Sequence, residues 1–214
     1  MPSATDLVPP SGPSTKARVL DAALQGFAAH GYEATSLDTL AAELGIRKQT
    51  ILYHFSSKDQ LLDAVIDAAG LELIHAVDDA LAEPVPPGWG EGTGWWRVES
   101  VVRSVFRLAG RRPELPGLMR EVTRLGPPAT TRLREQFAPF LDRATDFLGA
   151  EMAAGAMRRQ DPLLLLLNAY STVIGAATEM EVLRSLGVEP TSRVLVRRRS
   201  ELLDFLRSAL LPAG

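Results

Sequence analysis

The amino-acid sequence predicts an all-α protein, with an N-terminal three-helix unit followed by a larger helical domain, and three observations carry that reading. Every periodic apolar segment in the 214 residues repeats at helical spacing, and none shows convincing strand alternation. Gly31, Gly45 and the proline- and glycine-rich run 84–94 punctuate those segments. At 46% hydrophobic residues, the composition is ample for a buried core.

The elements follow in order. A first helix is expected over about 15–30, with Val19, Leu20, Ala23, Leu24, Phe27 and Ala28 as its buried stripe and Gly31 as its end. Thr35 or Ser36 caps the second, since either hydroxyl can accept a bond from an orphan backbone N–H. Leu37, Leu40, Ala41 and Leu44 fall at i, i+3, i+4 and i+7, and Gly45 supplies the positive φ of a sharp turn. Ile51, Leu52 and Phe55 anchor the third helix, which leaves Arg47, Lys48, Gln49, Thr50, Tyr53 and His54 largely free to face outward. Ser57-Lys58-Asp59-Gln60 matches a capping box and opens a fourth helix, buried through Leu61, Leu62, Val65 and Ile66 and reaching about residue 82.

The run 84–94 reads as a loop or hinge. Five further helices are expected over about 95–109, 114–125, 129–152, 162–186 and 192–210, with Pro139 kinking or dividing the third of them. The short connection 187–191 favours an antiparallel hairpin of the last two. The chain thus divides into a flexible tail over 1–13, a small helical unit over 14–74 and a larger one over 75–214.

Two short helices around a glycine turn, the second opening with Arg47, Lys48 and Gln49, suit a DNA major groove. Long donors at the helix N-terminus reach base edges, and flanking groups reach phosphates. The bulk numbers narrow the alternatives. Net charge is −3 with a pI near 5.7, which argues against coating nucleic acid non-specifically and leaves affinity to a local patch. The absence of cysteine removes disulfides, thiolate metal sites and cysteine nucleophiles. The longest apolar run, 163–167, is far too short to span a bilayer, and the N-terminus lacks the pattern of a secretory signal. A soluble cytoplasmic protein without membrane partners is expected.

From about residue 15 to 69 the sequence resembles the TetR family of transcriptional regulators. The matching residues are the Ala22-Ala23 pair, Phe27, Gly31, Thr35-Ser36, Leu40-Ala41, Leu44-Gly45-Ile46, Tyr53-His54-Phe55, Lys58 and Leu61-Leu62. Beyond them only length and helical layout are similar. The resemblance implies a homodimer on a palindromic double-stranded DNA operator, and a C-terminal domain that binds a small-molecule effector and dimerises through its last two long helices. Carried over residue by residue, it implies that Thr35 and Ser36 touch phosphate, that Arg47, Lys48, Gln49 and Thr50 enter the major groove, and that Tyr53, His54 and Lys58 grip the backbone. Two positions depart from the family pattern: Arg47 stands where a capping Ser or Thr is common, and Gln49 where a small residue is frequent.

Among the remaining residues, Trp96, Phe106, Met119, Phe140 and Asn168 are the candidates for contact with a hydrophobic effector. Trp89, Trp95 and Trp96 all lie around the glycine-rich run, where they pin the loop or rim a cavity. Asn168 stands amid Leu163–Leu167 and Tyr170, and a carboxamide buried there needs a partner. Val173, Ile174, Ala177, Leu183, Leu195, Leu202, Phe205 and Leu206 offer apolar surface for a dimer. His75 has Glu72 and Asp79 at helical spacing, but no second ligand pair accompanies them, and no metal or cofactor is expected. Arg197-Arg198-Arg199 spread around a helix and read as solvated or dimer-edge ion pairs. No nucleophile, metal cluster or convergent carboxylate set is complete, so no catalytic residue is expected and an enzyme is disfavoured. The competing reading is a helical ligand-binding or protein-interaction dimer without operator recognition.

Overall fold

In the computed structural model, residues 12–87, 93–178, 180–189 and 191–212 are described, and every regular element among them is helical. In order these are α1 (Thr15–His30), α2 (Leu37–Leu44), α3 (Lys48–His54), α4 (Lys58–Ala82), α5 (Thr93–Arg111), α6 (Glu114–Leu125), α7 (Ala129–Ala153), α8 (Pro162–Thr178), α9 (Met180–Ser185) and α10 (Ser192–Leu210). Most of the tail over 1–13 and Trp89 lie outside the described residues, as does the side chain of Ala177.

Local chemistry sets the ends of the first four helices. Ser14 Oγ accepts the Ala17 N–H at 3.2 Å and starts α1. Ser36, not Thr35, caps α2, its Oγ accepting the Thr39 N–H at 3.0 Å. Gly45 ends α2 at φ 65° and ψ 32°; its N–H reaches Ala42 O at 3.2 Å while the Ile46 N–H reaches back to Ala41 O at 3.0 Å. That double closure is a Schellman motif, and the left-handed backbone it needs is why glycine stands there. The turn aims α3 across α2. Ser57 caps α4 through the Gln60 N–H at 3.1 Å, but Gln60 Oε1 accepts from Ser56 rather than Ser57, so the box closes one residue early.

Two apolar cores result. The first joins Val19, Ala23, Leu24 and Phe27 of α1 to Leu40, Ile51, Phe55, Leu61, Val65 and Ile66, and it is closed by Leu115, Leu118, Met119 and Val122 of α6. The N-terminal unit therefore shares its core with a helix from the second half. Contact between α1 and α6 is close because α6 carries a glycine: a Cβ at Gly117 would stand 2.9 Å from Ala28 Cβ and 3.2 Å from Ala28 O. The second core gathers Trp95 and Val102 of α5, Leu148 and Met152 of α7, Leu165 and Val173 of α8, and Leu202, Leu203, Leu206 and Leu210 of α10. The long α4 runs beside both, tied by Arg112 to Glu72 at 3.3 Å, by Arg132 to Asp67 at 2.8 Å, and by Arg143 to Asp78 at 3.2 Å.

Two expectations about the second half meet a different arrangement. α7 continues through Pro139 undivided. Val173, Leu202 and Leu206, expected on a dimer face, are buried within the subunit's own second core. Of the residues expected there Phe205 of α10 is exposed, and with it Leu163, Leu164, Leu167 and Tyr170 of α8, Val182 of α9, Leu186, Val188, and Val196 of α10. Arg197 pairs with Glu201 one turn on at 2.7 Å, an ordinary solvated i,i+4 pair.

Candidate nucleic-acid interface

The short α3 is held by its apolar side and presents its polar one. Ile51 and Phe55 are fully packed into the first core, and Leu52 is half-buried against it. With those positions fixed, helical geometry turns Arg47, Lys48 and Gln49 to solvent, half-exposes Thr50 and His54, and leaves Tyr53 85% exposed. Arg47 starts the helix in extended backbone, φ −84° and ψ 145°, and its side chain makes no capping bond. The guanidinium is thereby left for an outside acceptor, while the Thr50 N–H turns back to Arg47 O at 2.9 Å.

The surrounding cations are steered by neighbours. Lys48 Nζ lies 2.8 Å from Asp38 in the first turn of α2, an exposed pair that bridges the two helices. Lys16 Nζ stands 5.8 Å from the Phe55 ring centroid. Arg18 donates to Leu44 O at 3.1 Å, which satisfies a carbonyl at the end of α2 and pins that helix to α1. Lys58 Nζ sits 4.1 Å from the centroid of the Tyr32 ring and donates to Glu33 O at 3.4 Å. The Tyr32 hydroxyl donates to Asp59; burial first, and then that carboxylate, push its pKa above the ordinary phenol value. At the start of α2 the Ser36 and Thr39 hydroxyls are 2.8 Å apart.

The sequence profile described as "Bacterial regulatory proteins, tetR family" matches residues 19–65, the span of this interface. The HTH-type transcriptional repressor SCO4008 of Streptomyces coelicolor is 35% identical over 79 residues, 37% of this chain and 38% of that one. The fold as a whole is shared with a TetR transcriptional regulator from Chloroflexus aurantiacus, at TM-score 0.70 and 21% identity over 92% of this chain and 96% of that one. The ketosteroid transcriptional regulator KstR2 of Mycobacterium tuberculosis gives TM-score 0.70 at 16% identity, over 94% and 97% of the two chains. Over residues 19–65 the chain matches the TetR family. Its sequence likeness to the Streptomyces repressor spans less than two fifths of that protein's length, whereas the likeness in fold to the two solved structures spans nearly all of theirs.

Within the TetR-type head the structure brings Ser36, Arg47, Lys48, Gln49, Thr50, Tyr53, His54 and Lys58 to exposed or half-exposed positions. Thr35 is the exception and corrects the expectation of a phosphate contact. It is 4% exposed, its hydroxyl donates to Gly31 O at 2.9 Å, and its methyl fills the space left by Gly26, where a Cβ would stand 2.8 Å away. The Tyr53 ring faces outward as expected and stands in solvent against His54, ring centroids 5.2 Å apart. Residue-by-residue reading missed Thr39, whose signal is its place three residues after the cap, and Tyr32, which carries no motif of its own.

The expected effector residues do not converge. Met119 lies in the first core beside the head, while Phe106 packs against the second. Trp96 and Phe140 are half-buried, and Asn168 is exposed on α8 rather than buried as expected. The informative residue is Trp95: 4% exposed in the second core, its indole Nε1 finds no acceptor among the described residues. A crevice of about 380 Å³ opens instead between α1 and α6, lined by His30, Gly31, Gly117, Arg120, Glu121 and Arg124. Among the described residues no group of three His, Asp or Glu side chains is placed to hold a metal, and no helix is long and apolar enough to cross a membrane.

Proposed function

We propose that this TetR-family regulator is a homodimeric cytoplasmic repressor that reads a palindromic operator with two copies of α3 and releases it when a hydrophobic small molecule binds the second core. The observation that carries the reading is the exposed donor ridge Arg47-Lys48-Gln49 on a helix locked by Ile51 and Phe55. Arg and Lys fit the acceptors of guanine, Gln fits adenine, and Ser36, Thr39, Tyr53, His54 and Lys58 surround them with phosphate donors.

Dimerisation follows from the apolar stripe on α8. Leu163, Leu167 and Tyr170 recur at helical spacing, and Phe205 of α10 is 58% exposed, surface that a monomer leaves in water. Two recognition helices must stand about 34–36 Å apart to enter successive major grooves. The 25 residues of α4 link the head to the second half, so a ligand that favours another tilt of α4 changes that spacing. Coupling of about 1–3 kcal/mol shifts affinity roughly 5- to 150-fold. Trp95 and Phe106 are the residues proposed to meet the effector, with Trp95 Nε1 donating to an acceptor on an otherwise apolar molecule.

The test is a gel shift with a duplex that the protein selects from a randomised pool. Arg47→Ala with Lys48→Ala is expected to weaken binding at least tenfold, as loss of base contacts worth about 1–3 kcal/mol each requires. Unchanged affinity would remove the assignment of α3.

A further inference from the structure

The turn over 31–36 between α1 and α2 is gripped from two directions. From the second half, Glu121 of α6 accepts the Tyr32 backbone N–H at 2.6 Å, and Arg124 forks onto the same carboxylate with two bonds of 2.7 Å. From the head, the Tyr32 ring carries the Lys58 ammonium at 4.1 Å, and the Tyr32 hydroxyl holds Asp59, the next residue of α4. One residue thus has its main chain fixed by α6 and its side chain fixing the cation that opens α4.

The carboxylate is an expensive way to make this contact. Glu121 is 8% exposed, and a buried charge is tolerated only when paired and hydrogen-bonded. The Arg124 fork, and after it the Tyr32 amide, hold its pKa below the ordinary value against the effect of burial. Packing of α6 on α1 does not require it, because Gly117, Leu118 and Val122 already supply that contact. The backbone is shaped around it as well: Gly31 takes φ 85°, and a Cβ there would come within 3.3 Å of Glu121 Oε1.

We infer that Glu121 is a positioning residue for DNA binding: through Tyr32 it sets where Lys58 holds its ammonium, so that a shift of α6 withdraws a phosphate contact directly. The inference rests on the DNA-binding reading and deepens it, since it adds to the tilt of α4 a second, local route from the effector half to the duplex. Attraction between an ammonium and a ring is short-ranged and falls away once the ring turns. A turn released by α6 therefore frees Lys58 without any change in α3.

Two readouts on the full chain test this. In the free protein the Tyr32 ring current shifts the Lys58 ε-methylene protons upfield. Tyr32→Leu removes that shift, Glu121→Ala removes most of it, and Glu121→Gln, which retains an acceptor for the Tyr32 N–H, keeps it. An unchanged shift in folded Glu121→Ala overturns the inference. If Glu121→Ala does not fold, Glu121→Leu with Arg124→Leu fills the same volume without an unpaired charge and is read in the same way. On a duplex selected by the wild type, Lys58→Ala lowers the slope of log affinity against log salt by about 1 per half-site. Glu121→Ala is expected to lower it equally, and the double variant no further; independent, additive losses overturn the coupling. A wild type that selects no duplex overturns the DNA-binding reading itself, while the proton shift still scores the link from Glu121 to Lys58.

Discussion

Tyr53 leaves most of its ring in water, two residues from each of the anchors Ile51 and Phe55, with the half-exposed His54 ring beside it. Tyr53→Ala is expected to leave the thermal midpoint within error, because exposed substitutions away from special features change stability by about 0.5 kcal/mol or less. The same variant should weaken binding to the selected duplex, and a melting curve beside a titration checks both. Ile51→Ala reverses the pattern: a fully buried side chain is cut, and a loss of about 2–5 kcal/mol in denaturant unfolding is expected. Glu121 adds a pH dependence. Its pKa is lower folded than unfolded, so its contribution is complete above the ordinary value of 4.5 and is lost as pH falls through the folded value. Denaturation of wild type and Glu121→Gln should therefore differ by a constant amount at neutral pH and converge in acid. At this scale the sequence discloses residue type but not direction. Arg47, Gln49 and Tyr53 could be placed because Ile51 and Phe55 fix the phase of one short helix. Thr35 and Ser36 are adjacent hydroxyls with the same chemistry, and only the space above Gly26 decides which turns inward.

Helices were legible wherever an apolar period met a capping residue. Ser36, Gly45 and Ser57 bound α2 and α4 by bonds that can be anticipated from spacing alone. Pro139 was less informative, since α7 passes through it undivided. Pairings between helices were not legible, and α6 shows why. Its apolar residues Leu115, Leu118, Met119 and Val122 specify a buried face but not a partner, and the partner is α1 of the head. Gly117 holds the answer, because a residue without a side chain marks where two backbones meet. Gly117→Leu is expected to drive α6 off Ala28 and to lower stability by about 1–3 kcal/mol, checked by chemical denaturation. Because that contact also carries Glu121 to Tyr32, the variant is expected to weaken DNA binding as well, although Gly117 is buried between α6 and α1.

The molecule as a whole is a head and a larger helical half that share a core, with apolar surface left over. Seen from composition, that surplus is visible as leucines on the last long helices; which of them face outward depends on how α8 and α10 pack within the subunit. Leu202 and Leu206 turn in, while Leu167 and Phe205 turn out. Leu167→Glu with Phe205→Glu is expected to give a folded monomer by light scattering and to abolish high-affinity binding, since one head would read only half of the proposed palindrome. The central claim is that two copies of α3 enter one duplex together. Hydroxyl-radical footprinting on the selected duplex tests it most directly. Two protected patches on one face, symmetric about a dyad and one helical turn apart, are predicted, both vanishing with Arg47→Ala and Lys48→Ala. A single patch, or protection that survives those substitutions, would contradict it.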